Sequence, residues 1–278
     1  MMTAIALTIA GSDSSGGAGI QADLKTFAAL GVYGASVVTA LTAQNTTGVT
    51  AVHEAPPEFV AAQLDAVFSD LDVAAVKIGM LGGAAVIEAV AAGLEKRRPR
   101  WIIIDPVMVA KGGDRLLADD AVAALRETLI PLAHLITPNL PEAGVLLDEP
   151  AARDRQGMQV QAERLLRLGP QAVLLKGGHL AGDTSPDLLH DGRDATWLEA
   201  ARHETRNTHG TGCTLSSAIA AQLALGQSLA DAVSAAKTYL GRAIAGADQV
   251  PVGHGHGPVH HFHRLWPMLQ KDTKETGR

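Results

Sequence analysis

The chain of 278 residues has one cysteine, Cys213. It can form no disulfide within itself, which excludes the disulfide-stapled scaffold of a small secreted protein. The first ten residues, MMTAIALTIA, have neither the basic flank nor the cleavage site of a signal peptide. No apolar run approaches the roughly 20 residues that span a bilayer. An excess of positive charge is missing too: 23 Lys and Arg stand against 29 Asp and Glu, a formal net charge of −6. The electrostatic footprint of a nucleic-acid partner is therefore lacking. These absences point to a cytoplasmic protein with no membrane and no nucleic-acid partner. Hydrophobic residues make up 47% of the chain, enough for a large α/β core. No Ser/Pro-rich linker, composition break or internal repeat divides it, so 1–266 reads as a single domain and 267–278 as a polar tail, frayed over Lys271–Arg278.

Short apolar runs alternate with alanine-rich stretches of helical period. Ala4–Ala10, Ser36–Ala43, Ala75–Ile78, Trp101–Asp105, His134–Thr137 and Ala172–Lys176 read as strands. Pro57–Ser69, Ala84–Lys96, Asp119–Leu129 and Gln159–Leu168 read as helices between them. Such alternation predicts a mostly parallel sheet with helices on both faces. Asp191-Gly192 between Asp187–His190 and Ala195–Leu198 predicts a late antiparallel hairpin. Two helices, about Cys213–Leu225 and Ser228–Ala245, close the fold.

Ligands of an open parallel sheet bind at the carboxyl ends of its strands, and the chemically interesting residues fall there. Gly11–Gly19 follows the first strand, Gln44 and Asn45 the second, and Lys77-Ile78-Gly79-Met80 ends the third. Asp105, Asn139 with Glu142, and Lys176 follow the next three. The loop Gly11–Gly19 has the glycine spacing of a Walker phosphate loop, but Gly17 and Ala18 stand where lysine and Ser/Thr belong. It reads as a close backbone approach to a small substrate, or as a plain tight turn.

The run Asn207-Thr208-His209-Gly210-Thr211-Gly212-Cys213-Thr214 turns a glycine-broken loop into a small-residue helix. The unpaired N–H groups and partial positive charge of a helix start suit phosphate oxygens, and the same field predicts a favoured Cys213 thiolate. The bland reading of a lone cysteine is a small buried hydrophobe. The tract His254, His256, His260, His261, His263 suggests metal at first, but its irregular spacing and central Gly-Pro favour packing of a C-terminal segment. The role of His209 stays open.

Taken together, AGSDSSGGAGIQADLK (Ala10–Lys25), TALTAQNTTGV, KIGML, TPNLPEA, LLKGGH and NTHGTGCTLSSAIAA resemble the bacterial hydroxymethylpyrimidine/phosphomethylpyrimidine kinases of thiamine biosynthesis. The similarity runs from about Ile5 to Trp266. The wider ribokinase-like superfamily shares the G-T-G-x helix start and the N-x-x-E motif, and cysteine in the last position, where sugar kinases carry aspartate, narrows the match. The resemblance implies a ribokinase-like three-layer sandwich and a homodimer. It implies that Gln44 reads the aminopyrimidine edge, with Ala18, Asp23, Met80 and Val107 lining the same pocket. It further implies that Gly210, Thr211 and Gly212 form an anion hole, with Cys213 beside the accepting hydroxymethyl group. Lys176 would then reach the triphosphate of ATP, and Asp105 and Glu142 would hold Mg²⁺. Each has a plainer rival: Gln44 as a strand-end cap, Met80 as core, Asp105 as a turn residue before Pro106, Lys176 as a solvated strand end, Asp23 as a helix residue that orients the loop.

The implied activity is phosphoryl transfer from ATP, first to the hydroxymethyl oxygen of 4-amino-5-hydroxymethyl-2-methylpyrimidine and then to the monophosphate. Two other readings remain at this point, a pyridoxal kinase on the same scaffold and a pyrimidine-binding sensor without turnover.

Overall fold

The computed structural model describes residues 3–108 and 117–268; the expected tail lies outside them from residue 269 onward. The elements are β1 (Ile5–Ala10), α1 (Gly19–Ala29), β2 (Tyr33–Val38), β3 (Ala40–Asn45), β4 (Gly48–Glu54), α2 (Pro57–Asp70), β5 (Ala75–Ile78) and α3 (Ala84–Arg97). There follow β6 (Trp101–Ile104), α4 (Asp119–Ala124), β7 (Leu135–Ile136), α5 (Leu140–Leu147), α6 (Arg155–Leu166), β8 (Val173–Lys176), β9 (Asp187–His190), β10 (Ala195–Leu198), α7 (Thr211–Ala224) and α8 (Leu229–Ala245).

One eight-stranded sheet runs in the order β10-β9-β8-β7-β6-β5-β1-β2. Its strands are parallel from β2 to β8, and the hairpin β9–β10 adds two antiparallel strands at one edge. The pleat sends alternate residues to opposite faces. In β6, Ile102 and Ile104 enter one core with Val90 and Leu94 of α3 and Leu146 of α5. Ile103 enters the other, with Leu215 and Ile219 of α7 and Val233 of α8. Two apolar cores with a sheet between them make a three-layer sandwich, as expected, and every parallel strand ends at the same rim.

The expected single strand Ser36–Ala43 is in fact two. The backbone N–H of Thr39 donates to the Ala10 carbonyl at 3.1 Å and its hydroxyl to the Met80 carbonyl at 2.8 Å. These ties hold the chain at the sheet rim, from which β3 leaves to pair with β4 in a separate antiparallel ribbon. The ribbon carries Gln44 over the rim. The helix expected over Asp119–Leu129 is regular only to Ala124 and widens into a π-helical turn over Leu125–Leu129.

Candidate active site

Consecutive parallel strands β6, β7 and β8 deliver Asp105, Thr137 and Lys176 to neighbouring points on the rim. The Lys176 Nζ donates to Asp105 Oδ1 at 2.9 Å, and Thr137 Oγ1 donates to the same oxygen at 3.2 Å. Glu142 arrives from the first turn of α5. Asn139 caps that helix by accepting from the Glu142 N–H, and Glu142 Oε2 accepts the Asn139 N–H at 2.7 Å, a reciprocal capping box. The box fixes the carboxylate 4.0 Å from Lys176. All of these groups are largely buried.

Burial and charge oppose each other here. Burial works to raise the Asp105 pKa, but Lys176 and Lys77 outweigh it and hold the carboxyl below its ordinary value. For Glu142 burial prevails: Lys176 offsets it in part, Asp105 repels, and the acid is pushed up to about 7. Burial likewise works against the Lys176 ammonium, and Asp105 and Glu142 more than offset it. Lys176 thus stands between two acids, of which Asp105 keeps its charge and Glu142 holds its proton more tightly than an ordinary carboxyl.

The helix start α7 lies directly over this cluster. A Cβ on Gly212 would stand 3.2 Å from Asp105 Oδ2 and 3.3 Å from Lys176 Nζ, so only glycine leaves the gap open. Gly210 caps the helix at φ +77°, and a Cβ there would collide with the Gly17 carbonyl oxygen. The two glycine loops are therefore in backbone contact, and Thr211 is pinned by its hydroxyl to the Thr208 carbonyl at 2.7 Å.

Two expectations need correction. Cys213 is not a favoured thiolate: burial pushes its thiol up to about 11, despite the opposing charge of Lys77. The half-buried thiol loses more by desolvation, with Asp23 and Asp105 adding to it, than it gains from the charge of Lys77. Asp23 does not line the pocket. It is fully buried, and its two oxygens are filled by Lys77 at 2.9 and 2.8 Å, Ser217 at 2.6 Å and Thr8 at 2.6 Å. With no acceptor site left for a ligand, it supports the floor beneath α7.

Gln44, Ala18 and Met80 meet at the first glycine loop. The Gln44 backbone exchanges two hydrogen bonds with the Ser14 hydroxyl, at 2.8 and 2.7 Å. Gly11 donates to the Met80 carbonyl at 3.0 Å, Ala18 donates to Asp13, and Val107 follows Asp105 at the end of the described segment, half-buried. Sequence reasoning missed Asp13 as an organiser. Its carboxylate accepts the Ser15 N–H and hydroxyl, the Gly17 and Ala18 N–H groups, and His209 Nε2 at 2.7 Å. Burial works against the charged form, and His209 and Ser15 hold the acid well below the carboxylate range. The run D-S-S-G-G was the available signal, since clustered small residues leave N–H groups in need of an acceptor.

Of the histidine tract, His260, His261 and His263 pack as expected, while His254 and His256 are exposed. His256 N–H donates to the Thr46 carbonyl, His209 N–H to the Gly257 carbonyl, and Tyr239 hydroxyl to the His261 carbonyl at 2.6 Å. His261 Nε2 lies 3.1 Å from Thr214 Oγ1, and burial pushes this imidazole down to about 3. Among the described residues no three His, Cys, Asp or Glu side chains form a metal cage.

Residues 13–260 match the sequence pattern of the family described as phosphomethylpyrimidine kinase. A hydroxymethylpyrimidine/phosphomethylpyrimidine kinase from Rhizobium meliloti (strain 1021) is 62% identical over 265 residues, covering 95% of this chain and 99% of that protein. Among solved structures, an ADP complex of Bacillus subtilis pyridoxal kinase superposes with a TM-score of 0.88 at 39% identity, covering 95% of this chain and 100% of that one. A phosphomethylpyrimidine kinase from Clostridium difficile 630 superposes with a TM-score of 0.78 at 45% identity, over 86% and 99%.

Proposed function

The chain belongs to the phosphomethylpyrimidine kinase family, and from that premise we propose that it phosphorylates 4-amino-5-hydroxymethyl-2-methylpyrimidine twice with ATP, in thiamine biosynthesis. In the first step the hydroxymethyl oxygen forms a bond to the γ-phosphorus of ATP, the bond from that phosphorus to the β,γ-bridging oxygen breaks, and ADP leaves. The hydroxyl proton passes to solvent. In the second step a phosphate oxygen of the monophosphate attacks a second ATP in the same way. The observation that carries this reading is the helix start at Gly210-Thr211-Gly212 set over the Lys176–Asp105 pair. A helix start, which favours anions, and an ammonium stand next to each other there.

Phosphoryl transfer passes through a loose transition state, so positioning and charge neutralisation supply most of the acceleration. In that frame Gly210, Thr211 and Gly212 hold the transferred group, Lys176 neutralises its charge, and Cys213 lies beside the acceptor as a neutral thiol. Gln44, Ala18, Met80 and Val107 bound the pyrimidine. Asp105 and Glu142 are the carboxylates we assign to Mg²⁺, which prefers oxygen ligands and needs only one or two from the protein. Burial and Asp105 push the Glu142 carboxyl up, and a cation bound beside it would offset both and favour its ionised form. When bound, Mg²⁺ neutralises phosphate charge. Glu142→Gln keeps the capping box and removes the charge, so the Mg²⁺ concentration for half-maximal rate should rise several-fold. The melting temperature should change little. Unfolding with normal specific activity would instead make Glu142 a structural acid.

Release of ADP upon addition of the aminopyrimidine tests the reaction itself, and its absence would leave a binding protein without turnover. Gln44→Leu tests recognition: buried polar ligand atoms lose their partners at a cost of about 1–3 kcal/mol. The KM for the pyrimidine should rise tenfold or more while that for ATP holds. Equal loss for both substrates would remove Gln44 from recognition. The structural likeness to a pyridoxal kinase supports a second reading, phosphorylation of a hydroxymethylated pyridine. Competition decides it, since pyridoxal at concentrations that saturate the aminopyrimidine should not slow a pyrimidine kinase.

We place the protein in the cytoplasm, as a single domain over 1–266 with no nucleic-acid or membrane partner. No helix among the described residues is long and apolar enough to cross a membrane. A homodimer is also proposed. Two-stranded ribbons are marginal alone, and β3–β4 leaves Leu41 exposed on one face and Val52 on the other, a ribbon that a second copy would support.

A further inference from the structure

His209 and Thr42 stand on either side of the Gln44 amide, and neither is explained by phosphate or metal chemistry. His209 Nε2 lies 2.7 Å from Asp13 Oδ2. An ionised carboxylate only accepts, so Nε2 carries the ring proton. The Gln44 side chain lies with Nε2 3.4 Å from that same His209 nitrogen and with Oε1 3.2 Å from Thr42 Oγ1. An amide nitrogen facing His209 would set two N–H donors against each other. On the opposite side the single Thr42 hydroxyl proton is taken by the Ser12 carbonyl at 2.9 Å, which can only accept. What Thr42 offers Gln44 is a lone pair, and that calls for an N–H. A half turn of the amide exchanges its two ends with almost no change of shape; it gives the Thr42 lone pair an N–H and replaces the donor–donor contact at His209 with an oxygen beside an N–H already donated to Asp13.

We infer that His209, locked by Asp13, and Thr42, locked by Ser12, fix the Gln44 amide with its oxygen toward the imidazole and its nitrogen toward the hydroxyl, making both of them specificity-determining positioning residues. This rests on the aminopyrimidine reading of the pocket. In that orientation one Gln44 N–H and one oxygen lone pair remain for a ligand, in fixed order. They match an edge with a ring-nitrogen acceptor next to an amino donor. An edge with a ring N–H donor next to a carbonyl acceptor requires the opposite amide orientation, which the two neighbours oppose.

The test compares kcat/KM for 4-amino-5-hydroxymethyl-2-methylpyrimidine with that for its 4-oxo analogue, in which donor and acceptor are exchanged. The wild type should prefer the amino compound strongly. His209→Leu frees the amide, and the amino-to-oxo preference should fall at least about tenfold while the KM for ATP is unchanged. His209→Gln, whose Nε2–H can reach Asp13, should restore most of it. Thr42→Val, which keeps shape and removes the lone pair, should lower the preference independently and covers the case in which His209→Leu fails to fold. An unchanged preference in both His209→Leu and Thr42→Val, with pyrimidine KM raised or not, overturns the inference. A wild type that phosphorylates neither pyrimidine overturns the functional reading itself, and the inference falls with it.

Discussion

Lys77→Met should cost about 3–5 kcal/mol of folding stability, and lower the melting temperature on the order of 10 °C, without any contact between Lys77 and a substrate. The strand Ala75–Ile78 lies in the middle of the sheet, and Lys77 and Asp23 are fully buried. Burial works to lower the Lys77 pKa, and the Asp23 charge more than offsets it. Methionine fills the space of the lysine stem but leaves a carboxylate buried with two hydroxyl donors, from Thr8 and Ser217, and no cation. Most of the loss is this stranded charge. Lys77→Met with Asp23→Asn should therefore recover more than half of it, because asparagine carries no charge, accepts from one of the two hydroxyls and donates to the other. Urea unfolding of the single and double variants checks both. A single variant within about 1 kcal/mol of wild type, or a double variant no better than the single, would show that the pair is not what secures α1, β1, β5 and α7 to each other.

Lys77 also marks where the sequence stops being readable. Ala75–Ile78, the hairpin Asp187–His190 with Ala195–Leu198, and the start of the last helix at Ser228 are all found within a residue of their expected places. Local period, turn chemistry and a capping side chain specify each of them. The break at Thr39 is invisible locally, because it depends on carbonyls of Ala10 and Met80 that the fold brings in from other strands. The site divides in the same way. Asp105, Glu142, Lys176 and Gly212 were legible because strand ends and helix starts in this architecture share one rim. Asp23 was misplaced because a carboxylate on α1 is a pocket residue or a buried counter-ion depending on what β5 holds, and a lysine inside an apolar strand was the unused clue. The Cys213 thiolate was a contest between helix field and desolvation, and sequence shows only the first.

Lys176→Met carries the largest expected effect on catalysis. Removing one preorganised electrostatic group from a transition state typically costs about 100- to 1,000-fold in kcat, and Lys176 is the only cation within reach of both Asp105 and Glu142 among the described residues. Its loss acts twice. The transferred phosphoryl group loses an ammonium set beneath Gly212, and Asp105 and Glu142 are left facing each other with no positive charge between them. The first effect lowers kcat at saturating substrates; the second disturbs the place where Mg²⁺ is assigned. Pyrimidine binding should change little, since Gln44 and the Gly11–Gly19 loop lie to the other side of α7's start. Lys176→Arg should not rescue, because a planar guanidinium in place of a compact ammonium cannot fit between Asp105 and Gly212, where a single added carbon would already crowd Nζ at 3.3 Å. Single-turnover rates at saturating ATP, beside equilibrium binding of the pyrimidine, separate these terms. A Lys176→Met enzyme that binds and turns over like wild type once corrected for its folded fraction would make Lys176 a partner of Asp105 and nothing more. The phosphate field would then have to come from the α7 N–H groups alone.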